Sequence, residues 1–229
     1  MSFFKNENII NGSLGFQVDF ENKLIILTRE EAAKFSKEIN TRFTMQEYND
    51  TFLVFSGGKG IILRIELDKI TITSESGSLE SFSSLVKDFC RVAMENFEFK
   101  KFSRIGFRVS AINKRKSLNE AIDGYYNIAK FDKKEMLKVG KLMGFQLIST
   151  IKTADNMTCN ININPVVRQN ITIGPTAKDN KRINDFGIMA DVDCFYDGAY
   201  AKEITINAFM DSAISNLDNK IYPMIEAVK

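Results

Sequence analysis

Histidine is absent from the 229 residues, and so is tryptophan. Without imidazole the chain cannot build a Ser-His-Asp relay, a Cys-His pair or the common zinc sites, all of which need that ring near neutral pH. A large share of hydrolase mechanisms is thereby excluded, while lysine- or carboxylate-based chemistry, including magnesium-assisted reactions, stays open. Cysteine is scarce: Cys90, Cys159 and Cys194 are widely separated and mostly flanked by apolar residues. That pattern reads as small core residues in a reducing compartment and not as a disulfide frame. No run approaches the roughly 18 apolar residues of a membrane span. The opening residues Met1 to Asn8 offer no apolar segment of the kind a secretory leader needs, so the expectation is a cytoplasmic protein with no membrane partner.

What is present suits a globular fold. Hydrophobic residues make up 44% of the chain and charged residues 26%, and the length sustains a sizeable core without help from disulfides or a metal. Nineteen Phe, only three Pro and a rich supply of Lys, Asn and Ile match the product of an AT-rich genome, and that bias suffices to explain the phenylalanines. A net charge of +2 conceals an uneven distribution, because Glu98 to Lys141 holds twelve basic residues against five acids. Such a segment suits an acidic protein, a nucleic acid or the acidic part of another copy, although solvated lysines on helices and loops look the same.

Periodicity gives the elements. Leu14 to Phe20 alternates as a strand, with Lys23 to Leu27 as its expected hairpin partner. Thr28 and Glu31 form a capping box that predicts a helix over 29–40. Three strands follow, Thr51 to Ser56, Lys59 to Leu67 and Lys69 to Ser74, the first pair joined at Gly57-Gly58-Lys59-Gly60. These glycines serve a tight turn, since a phosphate-cradling loop needs the GxxxxGK[ST] spacing and a following helix. Ser78 caps a helix over 79–96. Phe102 to Ile112 is the clearest strand, with Ile105, Phe107, Val109 and Ala111 on one face and Arg104 and Arg108 on the other. Helical patterns cover 117–129 and a stretch from Asp132, where Glu135 completes a second capping box and Gly144 suits the stop. A second meander is expected at Phe145 to Lys152, Met157 to Asn164 and Val166 to Ile173, then a polar loop from Gly174 to Asn184. Phe186 to Tyr196 is a strand, and Ala201 to Ile221 reads as the longest helix, buried through Ile206, Phe209, Met210, Ala213, Ile214, Leu217 and Ile221.

Two residue sets bear on chemistry. Arg104 and Arg108, with the basic run Lys114, Arg115 and Lys116, form a candidate binding surface for an acidic partner; the plain alternative is pairing with local carboxylates along a solvated face. Asp191 and Asp193 lie two apart on a strand, so both carboxylates point one way, a geometry able to hold a divalent cation. An exposed strand face also carries such pairs for structural reasons, and a magnesium enzyme draws further acidic ligands from other elements.

Taken in order, Lys69-Ile70-Thr71-Ile72-Thr73-Ser74, the helix entry Leu79-Glu80-Ser81-Phe82, the strand Ser103-Arg104-Ile105-Gly106-Phe107-Arg108 and the late Asp191-Val192-Asp193-Cys194-Phe195 make a recognisable series. Over about 45–225 the chain resembles a sporadically distributed bacterial family of uncharacterised proteins, whose members have an aromatic-rich helix entry, an Arg-Ile-Gly-x-Arg strand ending in Asn and a late Asp-x-Asp strand. Here Leu79 stands where the family tends to have an aromatic, Val109 replaces another, and Asn113 arrives a little later. The resemblance implies an architecture and no established activity.

The resulting expectation is an α+β fold of antiparallel meanders each covered by a long helix, either two similar halves or one continuous curved sheet. Its parts are an N-terminal sheet-plus-helix half over 1–112, a basic helical connector over 113–144 and a C-terminal half over 145–229, packed as one unit. The leading function is a non-enzymatic binding or regulatory module that self-associates or docks a protein partner, with nucleic acid less favoured and no cofactor. The alternatives are an apolar small-molecule cavity between sheet and helix and a metal-dependent enzyme centred on Asp191 and Asp193.

Overall fold

The computed structural model describes residues 9–39, 42–75, 77–129, 146–172 and 181–223. Nine strands build one antiparallel sheet in the order β2-β3-β4-β5-β1-β6-β9-β8-β7. They are β1 (Ile9–Phe20), β2 (Phe43–Asn49), β3 (Phe52–Gly57), β4 (Ile61–Glu66), β5 (Lys69–Ser74), β6 (Phe102–Arg115), β7 (Leu147–Lys152), β8 (Thr158–Thr172) and β9 (Lys181–Asp197). The helices are α1 (Arg29–Ile39), α2 (Leu79–Asn96), α3 (Leu118–Ala129), α4 (Gly198–Glu203) and α5 (Ile206–Asn216), the last followed by a π-helical turn over Leu217–Ile221. The fold is α+β, and β6 paired with β9 joins its two meanders into one sheet.

Strict alternation along the strands decides what is buried. Phe16, Val18, Ile70, Ile72, Ile105, Phe107, Val192 and Cys194 are all buried and belong to one core with residues of α1, α2, α3, α4 and α5. Because their register partners share this face, the helices lie together on one side of the sheet. Helix α2 exists because Leu79, Phe82, Val86, Phe89, Cys90 and Ala93 recur at helical spacing and are buried. The hydroxyl of Ser78 accepts the Ser81 amide at 3.1 Å to start it, as the capping argument requires. The Thr28–Glu31 box closes in both directions, at 3.0 and 3.2 Å. Phe35 of α1 meets Phe55, Phe89 and Phe97 with ring centroids 5.4–5.5 Å apart, locking helix to helix and helix to sheet.

All three cysteines are free and buried. Burial pushes the Cys90 thiol up, and a hydrogen bond with Cys159 followed by burial does the same to Cys194, so neither is a nucleophile.

Several elements depart from the sequence expectations. Residues Lys23 to Leu27 form no strand; β1 pairs instead with β5 and β6 in the centre of the sheet. Strand β2 carries no strand signal in its sequence, because it is an edge strand with few buried residues and a bulge between Met45 and Glu47 breaks its alternation. The expected strand Val166 to Ile173 is, as far as Thr172, no separate strand: β8 runs through Pro165, which β9 still pairs, at a point where β7 has already ended. The expected long C-terminal helix is broken at Ile204–Thr205, where the Thr205 hydroxyl accepts the Ala208 amide and caps a new helix. Of the loop expected from Gly174 to Asn184, positions 181–184 instead begin β9, where they pair with β8; positions 173–180, the second capping box at Asp132 and the stop at Gly144 lie outside the described residues.

The β7–β8 hairpin is fastened to α5 by Asp155. Its carboxylate accepts hydrogen bonds from Tyr196 (3.0 Å), Ser212 and Thr153, with Asn216 at 3.4 Å. Burial raises the Asp155 carboxyl, but these donors outweigh it and hold the group well below the usual carboxylate range. A depressed carboxylate stabilises the fold above its unfolded-state value, and that contribution fades as pH falls toward the folded value. Asp155→Ala is expected to cost about 1–2 kcal/mol at neutral pH, given the partial exposure of the group. In paired denaturation series the gap between wild type and variant narrows below pH 4; a constant gap would contradict the assignment. Phe35→Ala, by contrast, is expected to cost about 3–5 kcal/mol at any pH, measured the same way.

Candidate functional site

With the helices gathered on one side, the other face of the sheet carries no described helix. Along β6 and β9 this face presents Arg104, Gly106, Arg108 and Ser110 beside Phe195, Asp193 and Asp191, with Asn160 and Asn162 of β8 next to them. Arg108 stands opposite Asp193 but reaches diagonally to Asp191, donating from Nε at 2.8 Å and from Nη2 at 2.5 Å. The fork is bidentate, which fixes the plane of the guanidinium. Even so, the Arg108 side chain remains 65% exposed while that of Asp191 is 12% exposed.

Arg104 makes the matching reach, donating from Nη2 to Asp193 at 3.1 Å and lying 4.6 Å from the centroid of the Phe195 ring. The glycine of the Arg-Ile-Gly sequence permits this. A Cβ on Gly106 would come within 3.1 Å of Arg104 Nη1 and 3.4 Å of Phe195 Cβ, so the missing side chain is the space the guanidinium occupies. The same device recurs on β3 and β4, where Arg64 lies 4.4 Å from the Phe52 ring centroid and binds Glu66 at 2.5 Å. Rings on this wet face are thus shielded by cations that keep their charge in water.

Electrostatics follow the geometry. The hydrogen bond to Asp191 raises the Arg108 guanidinium further and keeps it charged. For Asp193, burial is the largest influence and lifts the carboxyl above its usual range, with Arg104 and Arg108 restraining the rise. Asp191 and Asp193 therefore each engage an arginine, and among the described residues no group of three potential metal ligands gathers around them or elsewhere.

The remaining predicted site residues do not join this band. Lys114 lies six positions along β6 from Arg108, about 20 Å away, and faces Asp185 at 3.6 Å. The Arg115 side chain approaches Gly124 of α3 on the helix-bearing side. Lys116 donates its backbone amide to Glu120 at 3.0 Å at the start of α3. Alternation in the sequence already puts Asn160 and Asn162 on the wet or partner-contacting face of their strand; the contribution of Phe195 was missed, although the alternation of β9 put it on this face.

No protein-family model matches the chain, and no curated protein is similar to it at a significant level. Among the described residues no helix is long and apolar enough to cross a membrane.

Removing the Arg104 charge frees Asp193 from one of its two restraints. Arg104→Ala is expected to raise the Asp193 carboxyl further, read by carboxyl-carbon NMR titration. It should cost roughly 1–2 kcal/mol at neutral pH. Since a raised carboxyl favours the fold at low pH, that cost diminishes as pH falls through the titration of Asp193; an unmoved Asp193 titration contradicts the pairing.

Proposed function

We propose that the chain is a non-enzymatic binding module that associates with a second copy of itself through the open face of the sheet. The observation that carries this reading is the balanced band of two arginines and two carboxylates on a face free of described helices, flanked by exposed Ile62 (48%) and Ile148 (67%). Two cations beside two anions form a patch that is its own complement under a two-fold rotation, which is the requirement of an isologous dimer. A half-turn sets the exposed edge of Arg108 against a carboxylate of the second copy, while Ile62 and Ile148 supply apolar area on either flank.

Size supports the same reading. Nine strands at ~4.8 Å make the face about 40 Å wide, and roughly 20 Å of strand length gives an area on the order of 800 Å², the share each partner contributes to a standard interface. Charged pairs at such a surface fix orientation, while the apolar flanks supply most of the attraction. An enzyme reading draws less from the site, because both carboxylates are engaged by arginines and both described thiols with raised values are buried.

Light scattering over a concentration series tests the proposal. Wild type is expected to reach dimer mass, and Ile62→Lys with Ile148→Lys to remain monomeric with little change in melting temperature. Arg108→Glu, which sets like charges against each other, should weaken association by about tenfold or more. A wild type that stays monomeric throughout, or a lysine pair that dimerises as tightly as wild type, overturns it.

A further inference from the structure

On the opposite side of the molecule, where α2, the start of β6 and the α4–α5 junction meet, lies a cleft of about 490 Å³. Its walls contain Met94, Phe102, Ile204 and Ile206, and five cations stand around them: Lys87, Arg91, Lys100, Lys101 and Lys202. Among the described residues no carboxylate lines it. The neighbouring cleft between α2 and α5 is of a different kind, since Glu80, Asp88 and Asp211 share its walls with the cations. We infer that the first cleft is a binding site for an anionic amphiphile, a small molecule with one acidic head on an apolar body.

Three features of the cleft support this. Its volume falls within the range of about 300–1,000 Å³ typical of small-molecule sites, and it pairs an apolar lining with convergent charges of one sign. Three of the cations already have carboxylates outside the cleft: Lys87 holds Asp211 at 2.6 Å, Arg91 holds Glu95 at 3.1 Å and Lys202 holds Glu21 at 2.5 Å. Lys100 and Lys101 are exposed and form no ion pair among the described residues, so they are left to meet an incoming anion. The first turn of α5, beginning after Thr205, opens on the same cleft and adds the partial positive charge of a helix start. A neutral apolar ligand would leave that charge unused, and a small hydrophilic anion would leave Met94, Phe102, Ile204 and Ile206 unused. An acyl or aryl carboxylate uses both.

Calorimetric titration with decanoate tests the inference on the whole chain. One decanoate per chain is expected to bind, acetate to give no heat, and decyltrimethylammonium, with the same tail and the opposite head, to bind at least about tenfold more weakly. Lys100→Glu with Lys101→Glu should lose about tenfold or more in decanoate affinity while melting as wild type does, and methyl NMR should place the bound tail at Met94, Ile204 and Ile206. Sedimentation with phosphatidylglycerol vesicles separates a bilayer source from the free amphiphile. Binding to vesicles without binding to decanoate, equal affinity for the two opposite heads, or unchanged affinity in the double variant each overturns it.

Discussion

Burial of a single sheet face beneath the helices governs the rest of the molecule. Nearly every strand residue that turns toward α2 or α5 is apolar and buried, and its neighbours in sequence therefore turn the other way. A strand alternation that serves the core at Ile105, Phe107 and Val109 places Arg104, Gly106 and Arg108 outside by geometry alone. At about 2 kcal/mol for each large side chain buried, the inner set is what the fold requires, and the outer set is free to serve other ends. The polar face is thus a by-product of the core that selection can use.

A broad sheet surface in water would normally expose its aromatic rings and invite unspecific pairing. Here Phe52 and Phe195 each lie under a guanidinium from the neighbouring strand that a carboxylate holds in place, Glu66 of Arg64's own strand in one case and Asp193 beside Phe195 in the other. The arrangement spends an ion pair of modest strength to cover apolar area and to orient charge. For Arg104 the reach is diagonal, and at Gly106 it depends on the absence of a side chain. Such a surface covers its rings yet presents complementary charge in a fixed pattern, the property a specific contact needs.

Much of this was legible from the residue order. Phe102 to Ile112, the α2 helix with its Ser78 cap and the Thr28 box were readable because local chemistry and tertiary burial agree there. Strand β2 was not, since an edge strand with a bulge owes its form to β3 and has little buried face of its own. The break before Ile206 was concealed because Ala201 and Ile204 precede a strong apolar stripe that runs from Ile206 onward, so that the pattern outweighed a single capping residue at Thr205. At Pro165 the reverse happened: a proline that usually ends a strand is tolerated because the pairing strand on one side has already stopped. As for the site, the sequence placed Arg104 with Arg108 and Asp191 with Asp193 as two pairs on two strands. That these are register neighbours follows only from β6 meeting β9, a contact between segments some 85 residues apart that local pattern does not contain.

The same pairing of β6 with β9 explains why the two surfaces of the molecule differ in kind. Between β6 and β9 the carboxylates of one strand meet the guanidiniums of the other, and the charge of the open face closes upon itself. On the helical side the cations of 87–101 and Lys202 come from α2, from the loop before β6 and from α4, and the acids that pair with three of them, Asp211, Glu95 and Glu21, stand outside the cleft. Positive charge therefore collects where α4 meets α5, above an apolar floor that the broken helix leaves open at Ile204. One face balances its charges and suits a like surface; the other accumulates one sign and suits a molecule that carries the opposite.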